Sequence, residues 1–138
     1  MSDPVLIVGA SRGLGRDLAC RFVELGDTVI GTHTGASEPP ALPGVSWRVC
    51  DLADGDSRLG FTASLDGIPR RIVLAAAYDP RTDPHPPGDG DAVARSLLVN
   101  GAGAYALLST LIEQAAHSVT VAVIGSEAIY TPDAGSAG

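Results

Sequence analysis

The residues with the clearest chemical potential stand near the start of the chain, in Gly9-Ala10-Ser11-Arg12-Gly13-Leu14-Gly15. Four apolar residues, Val5 to Val8, precede them, and Leu14, Leu18, Phe22 and Leu25 follow at three- and four-residue steps until Gly26. A strand, a glycine turn and an amphipathic helix in that order suit a nucleotide phosphate. Gly9 lets the chain leave the strand sharply, Gly13 lets backbone approach a ligand, and Gly15 lets the helix pack close to the sheet. The helix N-terminus offers free N–H groups and a partial positive charge to a pyrophosphate. The plainer alternative is a tight strand-to-helix turn that binds nothing. Arg12, inside the turn, is either a solvated loop arginine or a guanidinium that clamps a ribose 2′-phosphate through two hydrogen bonds. The second strand closes with Thr32-His33-Thr34, which contains no acid. An acid there would hold the 2′-hydroxyl of NAD and repel a 2′-phosphate. Nothing at this position repels NADP(H).

The elements that must position these groups alternate between strand and helix. Residues 27–32 predict a second strand, residues 33–45 a Pro-, Gly- and Ser-rich loop, and Val45 to Cys50 a third strand. Asp54 to Leu65 predicts a short helix, Arg71 to Ala77 a fourth strand, and Tyr78 to Asp91 a proline-rich loop. Asp91 to His117 predicts one long helix, with apolar faces from Val93, Leu97, Leu107, Leu108, Leu111 and Ile112 and interruptions at Gly101 and Gly103 that close packing would offset. Val119 to Ile124 predicts a fifth strand, and residues 125–138 a loop-like tail. Right-handed βαβ units then build a parallel sheet in the order 3-2-1-4-5, a Rossmann-type α/β fold without its usual last strands, as a single domain over residues 1–138.

Composition narrows the function. A chain of 138 residues with 45% hydrophobic content is long enough for one packed domain. A net charge of -7 argues against nucleic acid and anionic membranes as partners. No apolar run looks long enough for a bilayer, the N-terminus lacks a basic signal-peptide region, and a cytoplasmic location is expected. Cys20 and Cys50 read as buried apolar residues, and the scattered His33, His85 and His117 suggest no metal site. All nine basic residues are Arg, and there is no Lys.

The G-x-x-x-G-x-G spacing, GASRGLGR, and the later VIGTHT resemble the short-chain dehydrogenase/reductase family, most nearly its ketoacyl reductases. The family usually has Thr before the first Gly, where this chain has Val8. The resemblance implies an NADPH-dependent hydride transfer to a carbonyl substrate. It implies cofactor contacts from Gly9, Ser11, Arg12, Gly13, Leu14, Gly15, Thr32, His33, Asp51, Leu52, Ala75, Ala76 and Ala77. Asp51 would meet the adenine amino group; a helix N-cap is its other reading. Ala75-Ala76-Ala77-Tyr78 replaces the family's Asn-Asn-Ala-Gly, and Tyr78 either narrows the nicotinamide side or is a surface loop residue. Asn100 would hold a proton-relay water, or is structural. Ser126 would hydrogen-bond the substrate carbonyl, or is a turn serine. The family's catalytic Tyr would fall immediately after Gly138, its partner Lys is missing, and Tyr130 has the wrong register to replace that Tyr. The chain is therefore expected to bind NADP(H), to be inactive alone, and to self-associate or pair with a similar chain. The alternative is a non-catalytic nucleotide-binding or interaction protein that pairs through its long helix.

Overall fold

The computed structural model describes residues 3–83 and 85–125. Five parallel strands form one sheet in the order β3-β2-β1-β4-β5, as the alternation of elements predicts. They are β1 (Val5–Val8), β2 (Val29–His33), β3 (Val45–Val49), β4 (Arg71–Leu74) and β5 (Thr120–Val123). The helices are α1 (Gly13–Glu24), α2 (Gly55–Ala63), α3 (Asp89–Leu97) and α4 (Gly103–Gln114). A π-helical turn, Leu98–Ala102, joins α3 to α4.

The unbroken apolar run of β1 has no polar side because both of its faces are covered. Leu6 and Val8, with Ile72 and Leu74 of β4, pack against Phe61 of α2 and Leu107 and Leu111 of α4. Val5 and Ile7, with Val29 and Val73, pack against Ala19 of α1 and partly against Leu18, Phe22 and Val23.

Several boundaries and faces differ from the sequence reading. Leu14 and Leu25 do not join the buried face of α1; both are mainly exposed, and Gly15 and Ala19 take that place. Small residues are what fit, because α1 presses on the turn itself. Its C-terminus is closed as expected around Gly26. Asp27 N–H reaches the Phe22 carbonyl at 3.0 Å and Gly26 N–H the Val23 carbonyl at 3.0 Å, the paired bonds of a Schellman motif. Residue 33 belongs to β2 rather than to the loop, because Cys50 N–H bonds its carbonyl at 2.8 Å. Strand β4 stops at Leu74, although Ala75 N–H still reaches the Val8 carbonyl at 2.9 Å. Cys50 is buried as expected, whereas Cys20 is only half-buried.

The long helix starts earlier and ends earlier than its sequence suggests, and it changes pitch at the π turn. Gly103 is there for close packing: a Cβ on it would collide with the Leu52 carbonyl oxygen. Gly101 has open space around it, so packing does not account for it. The span Gly90–Gln114 is also long and apolar enough to cross a membrane by length and composition, which corrects the reading that no segment is. Its Gly103, Ala104, Leu107 and Leu111 are buried, while most of the rest of the span, including Val93, Leu97, Tyr105 and Ile112, is exposed.

Candidate functional site

The site lies at the C-terminal edge of the sheet, where the strand order reverses between β1 and β4. That crevice is where ligands bind in open parallel sheets. The turn after β1 is held from below. Gly9 has φ +86°, and a Cβ on it would come within 2.5 Å of the Ala76 Cα. A Cβ on Gly15 would collide with the Gly9 carbonyl oxygen, so the first turn of α1 lies directly on the loop that precedes it. Gly13, at φ +58°, has nothing within 4 Å of its missing Cβ and faces open space. Arg12 is the N-cap of α1, but its side chain makes no capping bond, so the first N–H groups of α1 keep their donor capacity.

The turn is stitched to the end of β2. Thr32, 1% exposed, accepts Gly9 N–H through Oγ1 at 3.0 Å, and its carbonyl accepts Ala10 N–H at 2.9 Å. The loop after β2 is fixed by its own side chains. His33 Nδ1 accepts Gly35 N–H at 3.2 Å, and Thr34 Oγ1 accepts Ala36 N–H at 3.3 Å. The His33 ring meets Trp47 of β3 edge to face, 6.0 Å between centroids and 84° between planes.

After β3, Asp51 Oδ1 accepts Ala53 N–H at 3.0 Å, and Asp51 N–H donates to Ser57 Oγ at 2.8 Å. The N-cap of α2 is Asp54, whose carboxylate accepts the N–H groups of Asp56 and Ser57, so the N-cap reading of Asp51 is corrected. Asp51 shapes the loop before the helix. The neighbouring Cys50 is 4% exposed, and burial pushes its thiol up to about 12, with the Arg58 charge acting against that shift.

These segments enclose a groove of about 390 Å³. It is lined by Gly9, Ser11, Arg12, Gly13, Leu14, Thr32, His33, Asp51, Leu52, Ala75, Ala76 and Ala77, so all the sequence-predicted cofactor residues meet there except Gly15, which acts from beneath the turn. Thr34, Cys50, Asp79, Thr82 and Val99 also line it. Sequence reasoning missed these five. Thr34 and Cys50 adjoin predicted residues, but Asp79 and Thr82 come from the proline-rich loop, whose path no periodicity reveals.

Tyr78 does not line the groove. Its hydroxyl donates to Asp83 at 3.1 Å, and the Arg95 guanidinium sits 5.5 Å from its ring centre. Partial desolvation raises the Tyr78 pKa above its ordinary value, and the Asp83 bond adds to the shift. Asn100, within the π turn, holds the Tyr78 backbone at both ends: Oδ1 accepts its N–H at 2.7 Å and Nδ2 donates to its carbonyl at 2.9 Å. Ser126 and Tyr130 lie outside the described residues.

A glycine turn closed by a helix N-terminus, joined to the ends of β2, β3 and β4, defines a dinucleotide-binding type of α/β fold. More particularly, the fold is that of the short-chain dehydrogenases/reductases, as solved structures demonstrate. A short-chain dehydrogenase family protein from Francisella tularensis matches with a TM-score of 0.79 at 14% identity, over 99% of this chain and 56% of that one. A short-chain dehydrogenase/reductase from Vibrio parahaemolyticus matches with a TM-score of 0.77 at 25% identity, over 96% of this chain and 60% of that one. A Burkholderia multivorans structure assigned to the same family, with bound NADP, matches with a TM-score of 0.76 at 19% identity, over 97% of this chain and 64% of that one. The chain thus spans roughly three-fifths of the length of these neighbours. No protein-family model matches the sequence, and no curated protein matches it.

Proposed function

We propose that this chain binds NADP(H) in the groove and is the cofactor-binding part of a short-chain reductase that transfers hydride to a carbonyl substrate. The observation that carries this reading is the groove itself, in which one glycine turn, the acid-free end of β2 and the alanine run after β4 converge. The fit to a dinucleotide is good where it can be tested. Gly13 leaves open space for a pyrophosphate above the N-terminus of α1, and Ala75 to Ala77 leave the β4 side without bulky groups. Arg12 and His33 both line the groove, at the turn after β1 and at the end of β2, and the acids that line it, Asp51 and Asp79, follow β3 and β4. Bound there, the nicotinamide would supply the hydride. This chain's own contribution is to hold the cofactor, with Asn100 fixing the backbone beside it and Ser126 as the candidate donor to a substrate carbonyl.

Calorimetric titration tests the cofactor assignment. The unmutated chain should bind NADPH more tightly than NADH, and Arg12→Ala should erase the preference, at a cost of about 1.5–3 kcal/mol for a hydrogen bond to a charged group. Equal affinities in the unmutated chain would contradict it.

A second reading, a nucleotide-binding chain that pairs with another through its long helix, rests on a separate observation. Val93, Leu97, Tyr105 and Ile112 are large apolar residues left largely exposed along α3 and α4, with Tyr105 75% exposed.

A further inference from the structure

We infer that Tyr78 is a positioning residue for the nicotinamide half of the cofactor: with Asp83 and Arg95 it clasps residues 78–83 into a preformed wall of the groove, from which Asp79 and Thr82 face the bound dinucleotide. The inference rests on the NADP(H) reading and adds to it the part of the site that the glycine turn does not supply.

Placement comes first. The two halves of a dinucleotide lie on either side of the point where the strand order reverses. The ends of β2 and β3 take the adenylate half, so the nicotinamide half falls on the β4 side. There the groove is lined by Ala75, Ala76 and Ala77, and then by Asp79 and Thr82 of the loop that follows. The alanines carry no polar side chain, so the polar side chains on that side belong to the loop.

The loop is built to hold one shape. Asp79 opens a tight turn: its carbonyl accepts the Thr82 N–H and the Thr82 hydroxyl, each at 3.0 Å. Pro80 presets φ at the second position of that turn. The Asp79 carboxylate accepts the Arg81 N–H at 2.9 Å and pairs with the Arg81 guanidinium at 2.8 Å. That pairing offsets an acidic charge that would otherwise face an anionic cofactor.

Tyr78 and Asp83 flank the turn and join across its base. The Tyr78 hydroxyl donates to Asp83 Oδ2 at 3.1 Å, and Asp83 Oδ1 accepts the His85 N–H at 2.9 Å, so each carboxylate oxygen has its own donor. Partial desolvation and Asp83 keep the proton on the phenol, and the His85 N–H favours the charged carboxylate, so the bond persists through neutral pH. The Arg95 guanidinium of α3 sits 5.5 Å from the Tyr78 ring centre and ties the ring to that helix. One side chain thus links the exit from β4, the far end of the turn and α3. A loop fixed before the ligand arrives does not have to be ordered on binding, which raises affinity.

The test measures dissociation constants of the whole chain for NADPH and for 2′,5′-ADP, which lacks the nicotinamide half. The unmutated chain should bind NADPH more tightly. Tyr78→Phe keeps the ring under Arg95 but removes the bond to Asp83; it should weaken NADPH by about three- to tenfold and leave 2′,5′-ADP unchanged. Asp83→Ala should do the same, and adding Tyr78→Phe to it should cost little more, because one bond is shared. Asp83→Asn, which keeps an acceptor, should retain most of the affinity. Amide exchange at Arg81 and Thr82 should quicken in Tyr78→Phe. NADPH affinity that survives Tyr78→Phe, equal loss of NADPH and 2′,5′-ADP, or fully additive losses in the double variant overturns the inference and leaves the NADP(H) reading standing. So does an unmutated chain that binds 2′,5′-ADP as tightly as NADPH. An unmutated chain that binds neither overturns the NADP(H) reading and this inference together.

Discussion

A methyl group at residue 15 would have to displace the Gly9 carbonyl. Gly15→Ala should therefore destabilise the fold by about 1–3 kcal/mol, the range for overpacking, in urea unfolding followed by circular dichroism. A variant as stable as the parent would show that α1 can lift off the turn. Cys50 offers a residue-scale test by pH. Burial raises its thiol from 9.0 to about 12. The native chain keeps this proton while the unfolded chain releases it, so the contribution to stability is full below about pH 9 and is lost as pH rises towards 12. Cys50→Ala should lose less thermal stability between pH 8 and 10 than the parent does; parallel declines would contradict the assignment. The native thiol should also resist alkylation at pH 8 and react once urea unfolds the chain. At this scale the sequence was informative wherever a residue type admits few uses. The glycines of the turn were legible on that ground. Asp51 was not, because Asp51 and Asp54 both precede α2 and only geometry tells which one caps it.

Among the elements, the π turn at Leu98–Ala102 has the clearest consequence. It carries Asn100, whose amide grips the backbone of Tyr78 at both N–H and carbonyl. Asn100→Ala removes both bonds and should release the start of the 78–83 loop, which carries the groove residues Asp79 and Thr82. Faster amide exchange at Tyr78 and weaker cofactor binding are expected, with about 1 kcal/mol lost in stability, since the pair is exposed. Unchanged exchange at Tyr78 would contradict this role. Asn100 itself could be picked out in the sequence as a polar residue in an apolar helix. Its partner could not, because Tyr78 is 22 residues away and is joined through backbone groups that carry no sequence signal. The apolar spacing of α1 was equally ambiguous. Leu14, Leu18, Phe22 and Leu25 describe one face, but the contact of α1 with the turn needs small residues, so Gly15 and Ala19 turn inward instead.

For the whole molecule, the strand order was legible because strands alternating with helices leave few right-handed parallel arrangements. What a sequence cannot display is which apolar residues remain uncovered. Val93, Leu97, Tyr105 and Ile112 on the long helix, and Val123 and Ile124 at the β5 edge, are exposed. The chain should therefore self-associate at tens of micromolar in sedimentation, and Leu97→Glu with Ile112→Glu should return it to monomer; a parent that sediments as a clean monomer would contradict this. Catalysis belongs to the same scale. With no Lys in these 138 residues to lower the pKa of a catalytic Tyr, a polypeptide of residues 1–138 alone should show no NADPH-dependent ketone reduction. A helix bearing Tyr-x-x-x-Lys and the remaining strands, in cis or from a partner, should restore it. Turnover by 1–138 that Tyr130→Phe abolishes would assign the acid to Tyr130 instead. Cofactor binding is the central expectation, and the chain holds its own reporter, since its single Trp, Trp47, touches His33 beside the groove. The most direct measurement is the quenching of Trp47 fluorescence on titration with NADPH and with NADH. The account predicts saturable quenching by both, at lower concentration for NADPH and reversed by 2′,5′-ADP. No saturable quenching, or identical curves for the two cofactors, would contradict it.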